Sequence, residues 1–255
     1  MTRKTYPDTC SEDDFVFFLH IPKTAGTSVA RILQPLFPEE QILTHEQVNA
    51  ARKHPNQIFQ RARFLHGHFT HDVYSRRLAK QPTFILTFLR DPVEHYVSTY
   101  FHLKIDPTFT YTTRICKDKA LAQQIHQFVN ENPLEAFFEY EHAHLFDNFQ
   151  TRYLVRGLSC DYAGKSDREL LPIAERLLLN LPFYGITERM ETSLQGMADA
   201  LAVDSNLATI EVNRSRNKPT DFTLSEESLA GIQRRTAIDQ RLYRLALMAF
   251  EDRYL

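Results

Sequence analysis

Short, almost wholly apolar runs alternate along this chain with longer stretches in which apolar positions recur every three or four residues. Asp14-Phe-Val-Phe-Phe-Leu19 is a run of β-formers, and its lack of polar alternation predicts a strand covered on both faces. It breaks at Ile21-Pro22. Thr24-Ala-Gly-Thr-Ser28 then leads into Val29, Ala30, Ile32 and Leu33, the apolar face of a helix. Thr83-Phe-Ile-Leu-Thr-Phe-Leu89 predicts a second buried strand, with a turn at Arg90-Asp91-Pro92 and a helix from Val93 that carries proline near its first position. Arg63-Phe-Leu-His-Gly-His68 reads as a third strand end and Phe183-Tyr-Gly-Ile-Thr187 as another short strand. Helical periodicity governs much of the rest, in Leu170, Ile173, Ala174, Leu177, Leu178 and Leu181, and again in Ile238, Leu242, Leu245, Ala246 and Ala249. Two strands that each feed a helix give the expected class: α/β, with a central parallel sheet flanked by helices and ligands at the strands' carboxyl ends.

The 255 residues, 43% of them hydrophobic and 24% charged, suffice to bury one substantial core. One domain is expected over residues 15–255, behind a polar N-terminal segment, 1–14. Lys plus Arg number 30 against 32 Asp plus Glu, and a net charge of -2 argues against a nucleic-acid binder, so any phosphate site must be built locally. The first residues hold no apolar h-region, and no later stretch approaches the roughly 18 consecutive apolar residues of a spanning helix, so no membrane insertion is expected. Cys10, Cys116 and Cys160 are odd in number and widely spaced, which suggests neither a disulfide framework nor a thiolate zinc site and fits a cytoplasmic location. No oligomeric state is implied.

Candidate chemistry gathers first in His20-Ile-Pro-Lys-Thr-Ala-Gly-Thr-Ser28, between the first strand and its helix, where backbone N–H groups and the helix dipole attract an anion. Lys23 adds a point charge, and Thr24, Thr27 and Ser28 add hydroxyls around Ala25 and Gly26. The plainer alternative is an ordinary capped turn. Lys23 precedes the only glycine here, whereas a Walker A motif places lysine after its second glycine, so an ATP-dependent kinase is disfavoured. His66 and His68 form a second cluster with His71 nearby, for which proton transfer and metal binding are the rival chemistries.

His-Ile-Pro-Lys-Thr-Ala-Gly-Thr-Ser resembles the 5′-phosphosulfate loop of sulfotransferases that use PAPS (3′-phosphoadenosine 5′-phosphosulfate), particularly the carbohydrate branch that contains heparan sulfate 2-O-sulfotransferases. Leu89-Arg-Asp-Pro-Val-Glu-His-Tyr-Val-Ser-Thr-Tyr100 is similar to that family's 3′-phosphate motif, which assigns Arg90 and Ser98 to the donor. A similar His-Gly-His lies between the two motifs in those enzymes with its second histidine as the base. That role falls to His68, with His66 orienting the site or touching the acceptor. Asp147-Asn-Phe-Gln-Thr-Arg-Tyr-Leu154 with Gly157 resembles an Asn-x-Gln-x-Arg-x-Leu region near the acceptor, and Asn213-Arg-Ser-Arg-Asn-Lys-Pro219 a basic loop over the nucleotide, giving Arg214, Ser215 and Arg216. The resemblance thus implies a P-loop-NTPase-like fold and a PAPS-dependent O-sulfotransferase. It would release PAP (adenosine 3′,5′-bisphosphate), use Lys23, Thr24, Ala25, Gly26, Thr27 and Ser28 at the donor, need no metal and act on a saccharide hydroxyl. A non-catalytic nucleotide-binding protein is the alternative from another class. The animal enzymes are usually anchored in the Golgi membrane, and no such anchor is visible here.

Overall fold

Five strands form among the residues that the computed structural model describes, which are 9–50, 60–73, 81–106, 108–158, 162, 164–203 and 222–255. They are β1 (Val16–Leu19), β2 (Ile42–Leu43), β3 (Phe64–Gly67), β4 (Phe84–Leu89) and β5 (Phe183–Ile186). All four pairings are parallel, in the order β2-β3-β1-β4-β5. Every residue of β1, β4 and β5 is buried, which is why their sequences carry no polar alternation. The strand expected from Asp14 starts two residues later, because the Asp14 carboxylate accepts the Ser11 N–H and hydroxyl in a local turn, at 2.6 and 2.8 Å.

The helices in chain order are α1 (Gly26–Leu33), α2 (His45–Ala50), α3 (Pro92–Ile105), α4 (Thr110–Cys116), α5 (Lys119–Glu131), α6 (Leu134–Glu139), α7 (Phe149–Val155), α8 (Asp167–Leu179), α9 (Met190–Leu201), α10 (Glu226–Arg235) and α11 (Ala237–Tyr254). None is long and apolar enough to cross a membrane among the described residues. Helix α8 starts three residues before its first apolar position, because Ser166 and Glu169 form a capping box there.

The chain divides into two compact units, Met1–Arg90 with Gln150–Asn213 and Leu242–Leu255, and Asp91–Phe149 with Arg214–Arg241. The first holds the sheet. Phe18, Phe64, Phe88 and Phe183 from the strands pack with Val29 and Leu33 of α1 and with Leu194 and Met197 of α9. The Cys10 N–H donates to the Ala200 carbonyl at 2.8 Å, which ties the end of the N-terminal segment to this unit. The second unit is helical around an aromatic core that includes Tyr96 and Tyr100 of α3 and Phe137 and Phe138 of α6. Asp91 caps α3, accepting from the Val93 and Glu94 N–H groups at 3.0 Å, with Pro92 as the first helical residue.

Candidate active site

Register at the carboxyl ends of the central strands sets up the site: Leu19 of β1 lies beside Gly67 of β3 and Thr87 of β4. The Thr87 hydroxyl donates to the Leu19 carbonyl at 2.7 Å, and the chain leaves the sheet there. Lys23 and Ala25 then take left-handed conformations, with φ of 71° and 63°, the kind of turn that builds an anion-binding concavity. Thr24 is buried between them and its hydroxyl donates to the Ile21 carbonyl at 2.8 Å, so that donor holds the loop together. Thr27 is exposed and Ser28 buried. Helix α1 begins at Gly26 with no side-chain cap at Ala25 and no acidic residue in its first turn. Its positive end is therefore not neutralised from within its own first turn.

Gly26 serves close approach. A Cβ there would stand 1.9 Å from the His20 ring, which is buried and stacked on Phe18 with 5.3 Å between centroids. Gly26→Ala is expected to displace that ring and lower stability by roughly 1–3 kcal/mol, read as a lower urea midpoint. An unchanged midpoint would show that the ring moves freely.

Two cations meet at this loop. Burial, and then the charge of Arg90, lower the Lys23 pKa to about 8. Arg90 Nη1 donates to the Lys23 carbonyl at 3.2 Å. The Arg90 backbone is gripped at two points: its N–H donates to Gln150 Oε1 at 2.9 Å, and Gln150 Nε2 donates to its carbonyl at 2.8 Å. Like charges held this close favour an anion beside them. Ser98 lies on α3 in the second unit. It is 6% exposed, and its buried hydroxyl oxygen has no hydrogen-bond partner among the described residues. A group of this kind gains from a ligand oxygen. Arg214, Ser215 and Arg216 lie outside the described residues.

His68 follows directly on β3, and its ring lies 4.3 Å from that of His20. Burial first, then His68, His66, His45 and Lys23, hold the His20 pKa well below its usual value, so His20 is neutral. His66 Nε2 lies 2.9 Å from Gln34 Nε2. An amide nitrogen only donates, so this His66 nitrogen is the acceptor, and burial lowers the pKa of the ring. His45, which the sequence did not single out, accepts the His68 backbone N–H at Nε2, 2.9 Å away. His71 has a different role: it is buried, its Nε2 lies 2.9 Å from the Leu154 carbonyl, and burial lowers its pKa to about 4. Among the described residues, no three His, Cys, Asp or Glu side chains are placed to hold a metal ion.

A model of the sulfotransferase family matches residues 9–251. The chain belongs to the sulfotransferase family. It is 24% identical over 275 residues to heparan-sulfate 6-O-sulfotransferase 3-B of Danio rerio, covering 95% of this chain and 65% of that protein. It is 23% identical over 277 residues to heparan-sulfate 6-O-sulfotransferase 1 of Homo sapiens, covering 95% and 67%. The chain thus spans about two thirds of the length of these relatives. Their names specify 6-O transfer, where the motifs resemble the 2-O branch. Identities this low do not choose between the two positions.

In this chain the segment Asn148 to Leu154, expected near the acceptor, and the residues just after it brace the two loops. Besides the grip of Gln150 on Arg90, the Tyr153 hydroxyl donates to the Phe69 carbonyl at 3.2 Å and the Arg156 carbonyl accepts the His71 N–H at 3.1 Å. Arg152 pairs with Asp167 through Nε and Nη2, at 2.7 and 3.1 Å. Gly157 has φ of 81°, and a Cβ there would stand 2.3 Å from the Asp72 nitrogen. Asn148 serves the second unit, where its Oδ1 accepts the Ile238 and Asp239 N–H groups at the start of α11.

Proposed function

We propose that this protein transfers a sulfuryl group from PAPS to a saccharide hydroxyl, giving PAP and a sulfate ester, with His68 as the general base. One observation carries the reading: the cationic loop after β1 and the base-bearing end of β3 leave the sheet side by side, Leu19 against Gly67, so that His68 adjoins the loop through His20. The donor supplies the sulfuryl group, whose S–O bond to the 5′-phosphate breaks as the bond to the acceptor oxygen forms. Lys23 and the N–H groups at the start of α1 balance the negative charge at the 5′ end, where it grows during transfer. His68 takes the hydroxyl proton on its imidazole. Arg90 and Ser98, with Arg214, Ser215 and Arg216, hold the nucleotide and its 3′-phosphate. The saccharide acceptor is supported by the relatives, which are named for heparan sulfate. A cytoplasmic location belongs to the same reading and is supported by the free thiols of Cys10 and Cys116.

Incubation with PAPS and heparan sulfate, or simpler saccharides, tests this by mass spectrometry of the product, and PAP binding with no transfer to any saccharide would defeat it. The 3′-phosphate assignment has its own measurement. PAP is expected to bind about 10- to 100-fold more tightly than ADP, the worth of a charge-assisted hydrogen bond, and Arg90→Ala should remove most of that difference. Equal affinity for PAP and ADP in the unmodified protein would refute it.

A further inference from the structure

His68 stands at the middle of a three-residue turn, in which the Phe69 N–H donates to the Gly67 carbonyl at 2.8 Å. The N–H of His68, at the centre of that turn, donates to His45 Nε2 at 2.9 Å. A backbone N–H only donates. His45 Nε2 must therefore offer a lone pair, and the ring proton of the neutral imidazole sits on Nδ1.

Several features of the chain bring His45 there. Strand β2 pairs with β3 in register, Leu43 beside Leu65, so that residues just beyond the two strands emerge together. Gln47 reaches back to Thr44, its Oε1 accepting both the Thr44 N–H and hydroxyl at 2.6 Å, and the Val48 N–H closes the first helical bond on the Thr44 carbonyl at 3.0 Å. That makes His45 the first residue of α2. Gly67, with φ of 133°, has no Cβ; one there would stand 3.0 Å from His45 Cδ2. The Phe69 ring packs on His45 with 4.1 Å between centroids. The His45 ring is thus held between Gly67 and Phe69 with its acceptor on the amide between them.

We propose that His45 is a positioning residue for the base: the acceptor at its Nε2 fixes the turn that presents the His68 imidazole to the accepting hydroxyl. The inference rests on His68 being the base. His45 itself transfers no proton in this scheme, and its effect is geometric. A shift of about 1 Å in a catalytic group can cost about 100-fold in rate.

Two variants of the full chain separate the hydrogen bond from packing. His45→Phe keeps a ring against Phe69 and removes the acceptor, whereas His45→Gln returns an acceptor near the place of Nε2. Amide hydrogen exchange at His68, followed by NMR, reads the contact directly: protection is expected to fall about tenfold or more in His45→Phe and to return in His45→Gln. With PAPS and heparan sulfate, kcat is expected to fall about 10- to 100-fold in His45→Phe and to recover to within about threefold in His45→Gln, while the Kd for PAP stays unchanged in both. An unaltered kcat in His45→Phe overturns the proposal, as does His45→Gln as slow as His45→Phe. Absence of turnover by the unmodified protein on any saccharide would count instead against the proposed function. The contact would still be decided by exchange at His68, and protection indifferent to His45→Phe overturns it.

Discussion

Replacing His68 by alanine is expected to lower kcat for sulfuryl transfer about 100- to 10,000-fold and to leave the affinity for PAP within about twofold. The expectation follows from what surrounds the imidazole. His20 is the ring beside it, and burial holds its pKa well below the usual value, which makes it a poor acceptor for a proton. His66 Nε2 already accepts from Gln34, and its pKa is also lowered. His45 Nε2 is committed to the His68 N–H. No neighbouring histidine is therefore poised to substitute as the base. The substitution also leaves the backbone N–H and its bond to His45 in place, so the turn survives and the rate loss reports the side chain alone. Single-turnover transfer from PAPS, with PAP binding by calorimetry as the control, measures both quantities. Full activity in His68→Ala would end its assignment as the base.

The elements that carry this chemistry were legible where physics leaves an uninterrupted signal. Strands β1, β4 and β5 are buried on both faces, and their apolar runs mark them within a residue or two. Proline after Asp91 marks the start of α3 because the missing N–H is no loss at that position. Strand β2 was not legible, since two residues, Ile42 and Leu43, give no period to detect. With β2 went His45, whose place depends on the pairing of β2 with β3. The faint trace it left is Thr44-x-x-Gln47, a helix-start pattern that says nothing of the ring beside it. Gln34 and Thr87 escaped for another reason: a polar residue in a helical turn or a buried strand reveals its partner only once the sheet order is known. Gln150 appeared as one letter of a motif, and its grip on the Arg90 backbone ties it to a cation of the proposed donor site. Gly26 invites the assumption that a glycine in a loop supplies a left-handed residue. Lys23 and Ala25 take that conformation, and Gly26 makes room for a ring.

Replacing Lys23 by methionine is expected to lower kcat about 100- to 1,000-fold and to change the pH dependence of donor binding, because one charge serves both. Burial and Arg90 lower the Lys23 pKa to about 8 in the free protein, so the side chain is mostly protonated at pH 7 and mostly neutral at pH 9. An anion at the loop favours the charged form, which places the pKa in the complex above 8. Between those two values binding takes up a proton, and affinity for PAP must fall as pH rises, by at most about tenfold per pH unit. Below pH 8 the Lys23 contribution is flat. Lys23→Met should weaken PAP binding at pH 7 and remove the slope above pH 8, because Arg90 keeps its charge throughout that range. Calorimetric titration with PAP from pH 7 to 9.5, in buffers of different ionisation enthalpy, measures affinity and proton uptake together. The same slope and uptake in Lys23→Met would mean that another group titrates, and Lys23 would then not be the cation that meets the 5′ end. If PAP affinity loses its slope but kcat is unchanged, Lys23 binds the donor equally in the ground and transition states. The charge that grows during transfer would then fall to the N–H groups at the start of α1, which have no pKa to titrate.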